Sequence, residues 1–269
     1  MKHVRALAAQ PPLLREYNTN HPDEALRPAD EAAAAWEAFK ADRAAHAQLL
    51  DHLTRAQQGL CIYCEQRLVN AAGTLVPMDC QVEHVLPKSG AAGRVLDWQN
   101  LALACCGGTW PHHDDPSRRY QSKQNTSCGQ TKDASVLPCD PRNLPLLDPL
   151  VQVAMDGTLE VDAACCTAAA VQQADVLRAI ELLNLDCERL RKTRQDIGDD
   201  VRTAFVSLLL QIQAIPLTPL EQRHAIELFV AGRLQPDVRG NLLRFWSAER
   251  SGIGAPAESW LETSQALFV

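Results

Sequence analysis

The pair Cys61-Ile-Tyr-Cys64 constrains the fold of this chain more than any other feature, because thiolates at that spacing can meet at one metal centre. A structural zinc wants four such ligands in a tetrahedron, commonly two from each of two chain segments. No second compact Cys-x-x-Cys follows, so the other half must combine Cys105 or Cys106 with Cys128. Cys105 is the favoured partner of Cys128, since it directly follows the apolar run Leu101–Ala104, and Cys106 is the alternative. The two late ligands then straddle residues 107–127, an irregular insertion rich in Gly, His, Asp, Ser and Arg. A redox role for Cys61 and Cys64 is disfavoured, because such a pair opens a helix after a strand in a βαβ unit, and none is legible here.

The remaining cysteines point away from a disulfide scaffold. The chain of 269 residues has 10 of them, but they interrupt long helical sequence. Met1-Lys2-His3-Val4-Arg5 runs quickly into Pro11 and Pro12, without the apolar stretch of a secretory signal. Cys165, Cys166 and Cys187 read as small buried hydrophobes, and Cys80 and Cys139 as core or loop residues. No run of about 18 apolar residues offers a membrane span. A cytoplasmic protein with no membrane partner is expected.

Around the cysteine frame the sequence is mainly helical, and the expected class is α+β: mostly α, with a small metal-braced insert. Residues 1–28, punctuated by Pro and Asn, read as an extended arm. Asp30 to about Gln58 reads as one helix, ended at Gly59, with Trp36, Phe39, Leu49, Leu50 and Leu53 at helical spacing. Between 60 and 140 the pattern changes to two short strands, Val76–Val85 and Asn100–Ala104, joined by a polar loop. Val153–Val161 suggests a hairpin turning at Asp156-Gly157. Helices return over Ala168–Leu183, over Asp186–Ile215 with Asp186 as cap, over Glu221–Gly232, and in short pieces after 236. The division expected is 1–59, 60–140 and 141–269.

Inside the frame lies Val82-Glu83-His84-Val85-Leu86-Pro87-Lys88, followed by Trp98-Gln99-Asn100-Leu101. Phosphodiester hydrolysis needs an activated water, neutralised phosphoryl oxygens and a stabilised leaving alkoxide. A neutral imidazole such as His84 suits the first task, and a divalent metal on a carboxylate such as Glu83 suits the others. Neighbours on a strand point to opposite faces, so a bend near Pro87 is needed for both to share a cleft.

Taken together, Cys-x-x-Cys, Glu-His-x-x-Pro-Lys, Trp-x-Asn-Leu, Cys and Cys-x-x-x-Lys resemble the HNH endonucleases of the ββα-metal class. The chain is most similar to a longer branch, the HNH nuclease component of Septu-type and retron-associated anti-phage systems. That resemblance also takes in Gly59-Leu60-Cys61, Leu147-Asp148-Pro149 and Ala179–Asp186 with Leu190 and Arg194, and so most of residues 1–200. It implies a ββα-metal nuclease over 60–140, with His84 as general base, Glu83 as ligand of a catalytic Mg²⁺ or Mn²⁺, and Asn100 orienting the base. Structural zinc would sit on Cys61, Cys64, Cys105 and Cys128, and Lys88 and Lys132 would face substrate phosphate. The chain departs from the pattern at Gly129, where many such nucleases carry an Asn or His ligand. The metal would then rely on Glu83, water and the substrate phosphate, or recruit Asp133, His112 or His113.

Charge bears on partners. The net charge is -7, with 26 basic against 33 acidic residues, so the average surface repels a polyanion. Within 81–133 the basic Lys88, Arg94, Arg118, Arg119, Lys123 and Lys132 nearly balance Glu83, Asp97, Asp114, Asp115 and Asp133. A nucleic-acid substrate, DNA ahead of RNA, is then either gripped by few contacts or held by a partner. The resemblance implies an ATPase partner in a defence complex. The rival expectation is a lapsed, zinc-binding scaffold.

Overall fold

The computed structural model describes residues 2–76, 78–109 and 124–268. Helices carry most of it, and two small antiparallel hairpins supply the strands, so the mainly helical α+β class holds. No described helix is long and apolar enough to cross a membrane.

The N-terminal arm is more helical than its composition suggests. Pro12–Asn20 (α1) and Pro22–Ala25 (α2) each begin on proline, whose missing N–H costs nothing in a first turn. Leu14 and Tyr17 of α1 are buried, so tertiary packing holds a segment that reads as extended in isolation. The single helix expected from Asp30 is broken in two, Ala32–Ala41 (α3) and Arg43–Ala56 (α4), after a 3-10 turn at Ala29–Glu31. Asp42 makes the corner: its carboxylate accepts the N–H of Ala45 at 3.0 Å, a side-chain cap that starts α4 anew. The bend lets Trp36 and Phe39 on α3 and Leu49 and Leu53 on α4 enter one core.

Gln58 and Gly59 then take positive φ values of 54° and 74° and turn the chain into Cys61. A Cβ on Gly59 would lie 2.8 Å from Asn241 Oδ1 and 2.9 Å from Val69 Cγ2, so glycine is needed for space as well as backbone. Strand Cys80–His84 (β1) pairs antiparallel with Leu101–Cys105 (β2), with Cys80 opposite Cys105 and His84 opposite Leu101. The buried Gln57 joins α4 to this hairpin. Its amide donates to Leu103 O at 2.8 Å and accepts from Leu103 N at 2.6 Å, satisfying backbone groups on the edge of β2 that β1 leaves unpaired. One helical turn, Gly129–Lys132 (α5), follows.

The later segments largely follow expectation. Val151–Val153 (β3) and Leu159–Val161 (β4) form the hairpin, with Gly157 at φ 82° in its turn. Ala163–Ala168 (α6), Gln173–Leu182 (α7), Glu188–Ala214 (α8), Pro219–Leu234 (α9), Trp246–Ile253 (α10) and Ala255–Thr263 (α11) complete the chain. Asp186 does not cap α8, whose cap position is Cys187. Its Oδ1 instead accepts from Leu159 N at 3.0 Å and from the buried Arg194 at 2.7 Å, pinning β4 to α8. Helix α9 starts earlier than expected because Thr218 caps it and forms a reciprocal capping box with Glu221 across Pro219.

One core joins Val4, Leu14, Phe39 and Leu53 to the β1–β2 hairpin and on to Val176, Leu190 and Ile197. Residues from all three expected segments therefore share it. A second core gathers Leu60, Val201, Val230, Leu234, Trp246 and Leu261.

Candidate metal centre and histidine site

Cys61 and Cys64 from the turn after α4, Cys105 at the end of β2 and Cys128 at the start of α5 converge with all four sulfurs within 4.8 Å of one another. The Cys64–Cys105 and Cys105–Cys128 separations are both 3.6 Å, and Cys61–Cys128 is 4.0 Å. A tetrahedron with Zn–S bonds of about 2.3 Å has edges of about 3.8 Å, so the thiols already have the spacing zinc requires. All four are buried. The choice between Cys105 and Cys106 is settled in favour of Cys105, because the Cys106 thiol turns away and donates to Met78 O at 3.0 Å.

The surroundings suit thiolates. The backbone N–H of Cys105 donates to Cys61 Sγ at 3.2 Å, that of Gly107 to Cys105 Sγ at 3.4 Å, and the Ser127 hydroxyl to Cys128 Sγ at 3.5 Å. Four thiolates around Zn²⁺ leave two excess negative charges, and these donors with the nearby Arg189 offset them. Burial opposes the charge on Arg189, but the sulfurs of Cys105 and Cys64 more than restore it and push its pKa up. Arg189 also donates to Ser127 Oγ at 2.8 Å, holding the hydroxyl that serves Cys128. Within the cluster, hydrogen bonds between the thiols push Cys64 and Cys128 well up, while at Cys61 burial opposes the charge but bonds with Cys105, Cys128 and Cys64 bring its pKa well down. With every ligand a buried cysteine, the residues fit a closed structural zinc with no open position for chemistry.

Glu83 and His84 lie side by side on β1 but have different partners. Glu83, 7% exposed, takes the Lys132 ammonium on Oε1 at 2.9 Å and the Tyr63 hydroxyl on the same oxygen at 3.1 Å. Burial first, and then the Glu83 charge, push the Tyr63 pKa well up, which keeps that hydroxyl a donor. A Cβ at Gly129 would stand 2.5 Å from Glu83 Oε2, so the carboxylate fills the space a side chain at 129 would need. Among the described residues no His, Cys, Asp or Glu set converges on Glu83, and Asp133 is exposed at the end of α5. These residues do not fit a catalytic Mg²⁺ or Mn²⁺, which wants several oxygen ligands in near-octahedral array. Lys132, expected to face substrate phosphate, is 1% exposed and committed to Glu83.

His84 is oriented as a base would be. Its Nε2 lies 3.0 Å from Val95 O. A carbonyl can only accept, so the neutral ring carries its proton on Nε2 and leaves Nδ1 a bare acceptor. Nδ1 makes no hydrogen bond among the described residues. The ring stands edge-on to Trp36, with centroids 5.0 Å apart at 84°. Burial lowers the His84 pKa to about 4; the Val95 bond opposes this, and the charges of Lys88 and Lys132 add to it. Lys88 is half-buried at the base of the following loop, and burial depresses its pKa too.

Asn100 fixes that loop. Its Oδ1 accepts from Leu86 N at 2.7 Å, and its Nδ2 donates to Leu86 O at 2.9 Å and Arg94 O at 3.1 Å. The 86–95 segment that carries Val95 O is thus tied back to the base of β2. Asn100→Ala leaves three backbone groups unpartnered, so a loss of about 2–3 kcal/mol is expected by urea unfolding. The zinc content should be unchanged, because the cysteines are held elsewhere.

The site contacts of Tyr63, Arg189 and Trp36, the last legible only as a core residue, escaped sequence reasoning. Tyr63 sits within the Cys-x-x-Cys itself, and that position was its only signal. His112, His113 and Trp110 lie outside the described residues. Comparison of the chain with protein-family models and with curated proteins found no match.

Proposed function

We propose that this chain is an HNH-type endonuclease that hydrolyses phosphodiester bonds in nucleic acid, DNA ahead of RNA, as an effector of anti-phage defence. The observation that carries this reading is His84. It is a neutral imidazole at a strand end, held by Nε2–H on Val95 O, with Nδ1 unengaged, on a hairpin braced by four cysteines.

In this reading Nδ1 of His84 takes a proton from water as the water oxygen bonds to phosphorus. The bond to the 3′-oxygen breaks, and that oxygen takes a proton from solvent. Lys88 adds positive charge near the scissile phosphate, and Asn100 holds the loop that aims the ring. A zinc ion on Cys61, Cys64, Cys105 and Cys128 would supply rigidity, not chemistry. The catalytic divalent ion once expected on Glu83 has no step here, since Glu83 is already paired.

The net charge of -7 supports a partner that grips the substrate, and an ATPase is the proposal. Val206 (54% exposed), Leu210 (61%) and Ile215 (54%) near the end of α8, with Leu220 (74%) and Leu228 (60%) on α9, offer apolar surface for it. Labelled DNA and RNA incubated with the zinc-loaded protein, alone and with its ATPase, test the reading. Weak, salt-sensitive cleavage alone and a marked gain in the complex are expected, with the gain lost in a Leu210→Asp, Leu228→Asp variant. No cleavage in either state overturns it.

The second reading, a zinc-braced scaffold with a lapsed centre, draws on the Glu83–Lys132 pair and the bare Gly129. Complex formation without any phosphodiester cleavage would select it.

A further inference from the structure

We infer that the Lys132 ammonium is the resident cation of the Glu83 site and occupies the position a divalent ion would need. The inference rests on the nuclease reading and deepens it, by naming the cation that stands at Glu83 in that site. Its test is separate from cleavage.

The geometry is that of a small oxygen cage around a cation. An ammonium has three donors and no acceptor. Around Lys132 Nζ stand Glu83 Oε1 at 2.9 Å, His84 O at 3.1 Å and Asp133 O at 3.5 Å. Two of these oxygens come from adjacent residues of β1 and the third from the end of α5, so Lys132 ties helix to strand. The side chain is 1% exposed, which removes it from any substrate-facing surface. A charge so deeply buried is retained only where a counter-charge and hydrogen bonds compensate it, and Glu83 supplies the counter-charge.

Charge balance then works against a metal. Adding a divalent ion to Glu83 would set two positive charges against the ammonium within hydrogen-bond range of one carboxylate. The ion would also have to displace Tyr63 from Oε1 and find further oxygens, which the described residues do not bring there. Gly129 completes the arrangement. With no side chain at 129, Glu83 and Lys132 close directly over α5, and any Cβ there would collide with the carboxylate. Gly129 and Lys132 thus act together: the missing side chain leaves room for the carboxylate, and the lysine three residues later supplies a protein-borne cation in place of a bound one.

The test is Mn²⁺ binding to the zinc-loaded full chain, read by water proton relaxation, in the wild type, Glu83→Gln, Lys132→Ala, and the double variant. The wild type and Glu83→Gln should be indistinguishable up to millimolar Mn²⁺. Lys132→Ala should gain a Mn²⁺ site at least about tenfold tighter than any in the wild type, and the double variant should lose it again. Wild-type binding that disappears in Glu83→Gln overturns the inference, and this arm stands even where Lys132→Ala does not fold. A folded Lys132→Ala that gains no site overturns it equally. Cleavage measured on the same wild-type stock keeps the two claims apart: an inert protein sinks the nuclease reading whatever the Mn²⁺ titration gives.

Discussion

Cys61→Ser should strip the zinc and unfold the region around the hairpin, the largest stability effect expected in this chain. Zinc binding by four thiolates drives folding with apparent free energies of about 10–16 kcal/mol in small zinc domains at neutral pH. A whole domain of ordinary size is stable by only about 5–15 kcal/mol. Here the four cysteines join the turn after α4, the end of β2 and the start of α5, segments with little regular structure of their own. The α1, α3 and α4 packing would survive in part, so the expected loss is several kcal/mol rather than the full zinc term. Purified wild type should hold zinc and the variant should not, with a lower urea midpoint and loss of hydrogen-exchange protection over β1 and β2. Cys166→Ala is the control, since Cys166 is also buried, at 1% exposure, but lies outside the cluster. Metal-free wild type with the same melting profile as the zinc-loaded form would sink the assignment.

The four-cysteine cluster was legible in the sequence because metal-ligand spacing is a local code. Cys61-x-x-Cys64 states half the site outright, and the end of an apolar strand pointed to Cys105. The Asp156-Gly157 hairpin was legible for the same reason, since turn chemistry needs only a few adjacent residues. What escaped depends on packing between distant segments. Asp42 looks like one more polar residue in an alanine-rich helix, and only the burial of both Trp36 and Leu49 makes a corner there favourable. The prolines of the N-terminal arm suggest an extended chain, yet Leu14 and Tyr17 have a core to enter, and that decides the matter.

Lys132 is the sharpest case. Cys-x-x-x-Lys fixes the lysine one helical turn after the last ligand. It does not say whether the ammonium faces solvent or the strand beneath. Burial against Glu83 depends on the missing side chain at Gly129, a relation between two segments almost fifty residues apart. Likewise His84 was visible as a candidate base, but its tautomer rests on Val95 O, a backbone atom that no motif encodes.

His84→Ala should lower phosphodiester cleavage by roughly two to four orders of magnitude while leaving zinc in place, because a positioned general base contributes about that much. The pH dependence gives the sharper readout. With its pKa lowered to about 4 by burial, His84 in the free protein is already neutral at pH 5, and Nδ1 stays available through pH 8. The acid limb of kcat/KM should therefore fall near pH 4, with no inflection at the ordinary histidine value of 6.5. A base this weak removes protons poorly, and the bound phosphodiester corrects that: its negative charge favours the imidazolium and raises the pKa in the complex. The acid limb of kcat should accordingly lie at higher pH than that of kcat/KM. Stability follows the same sign. The unfolded chain takes up the proton near pH 6.5 and the folded one only near 4, so His84 stabilises the fold above pH 6.5 and that contribution is lost as pH falls towards 4. His84→Ala should flatten this part of the stability profile as well as abolish the rate. Free imidazole should restore part of the activity if the lost group is a base, and should restore none if the variant has merely disturbed Trp36 and the loop at Val95. Cleavage by His84→Ala at the wild-type rate would remove His84 from the chemistry and leave the zinc scaffold as the function of this fold.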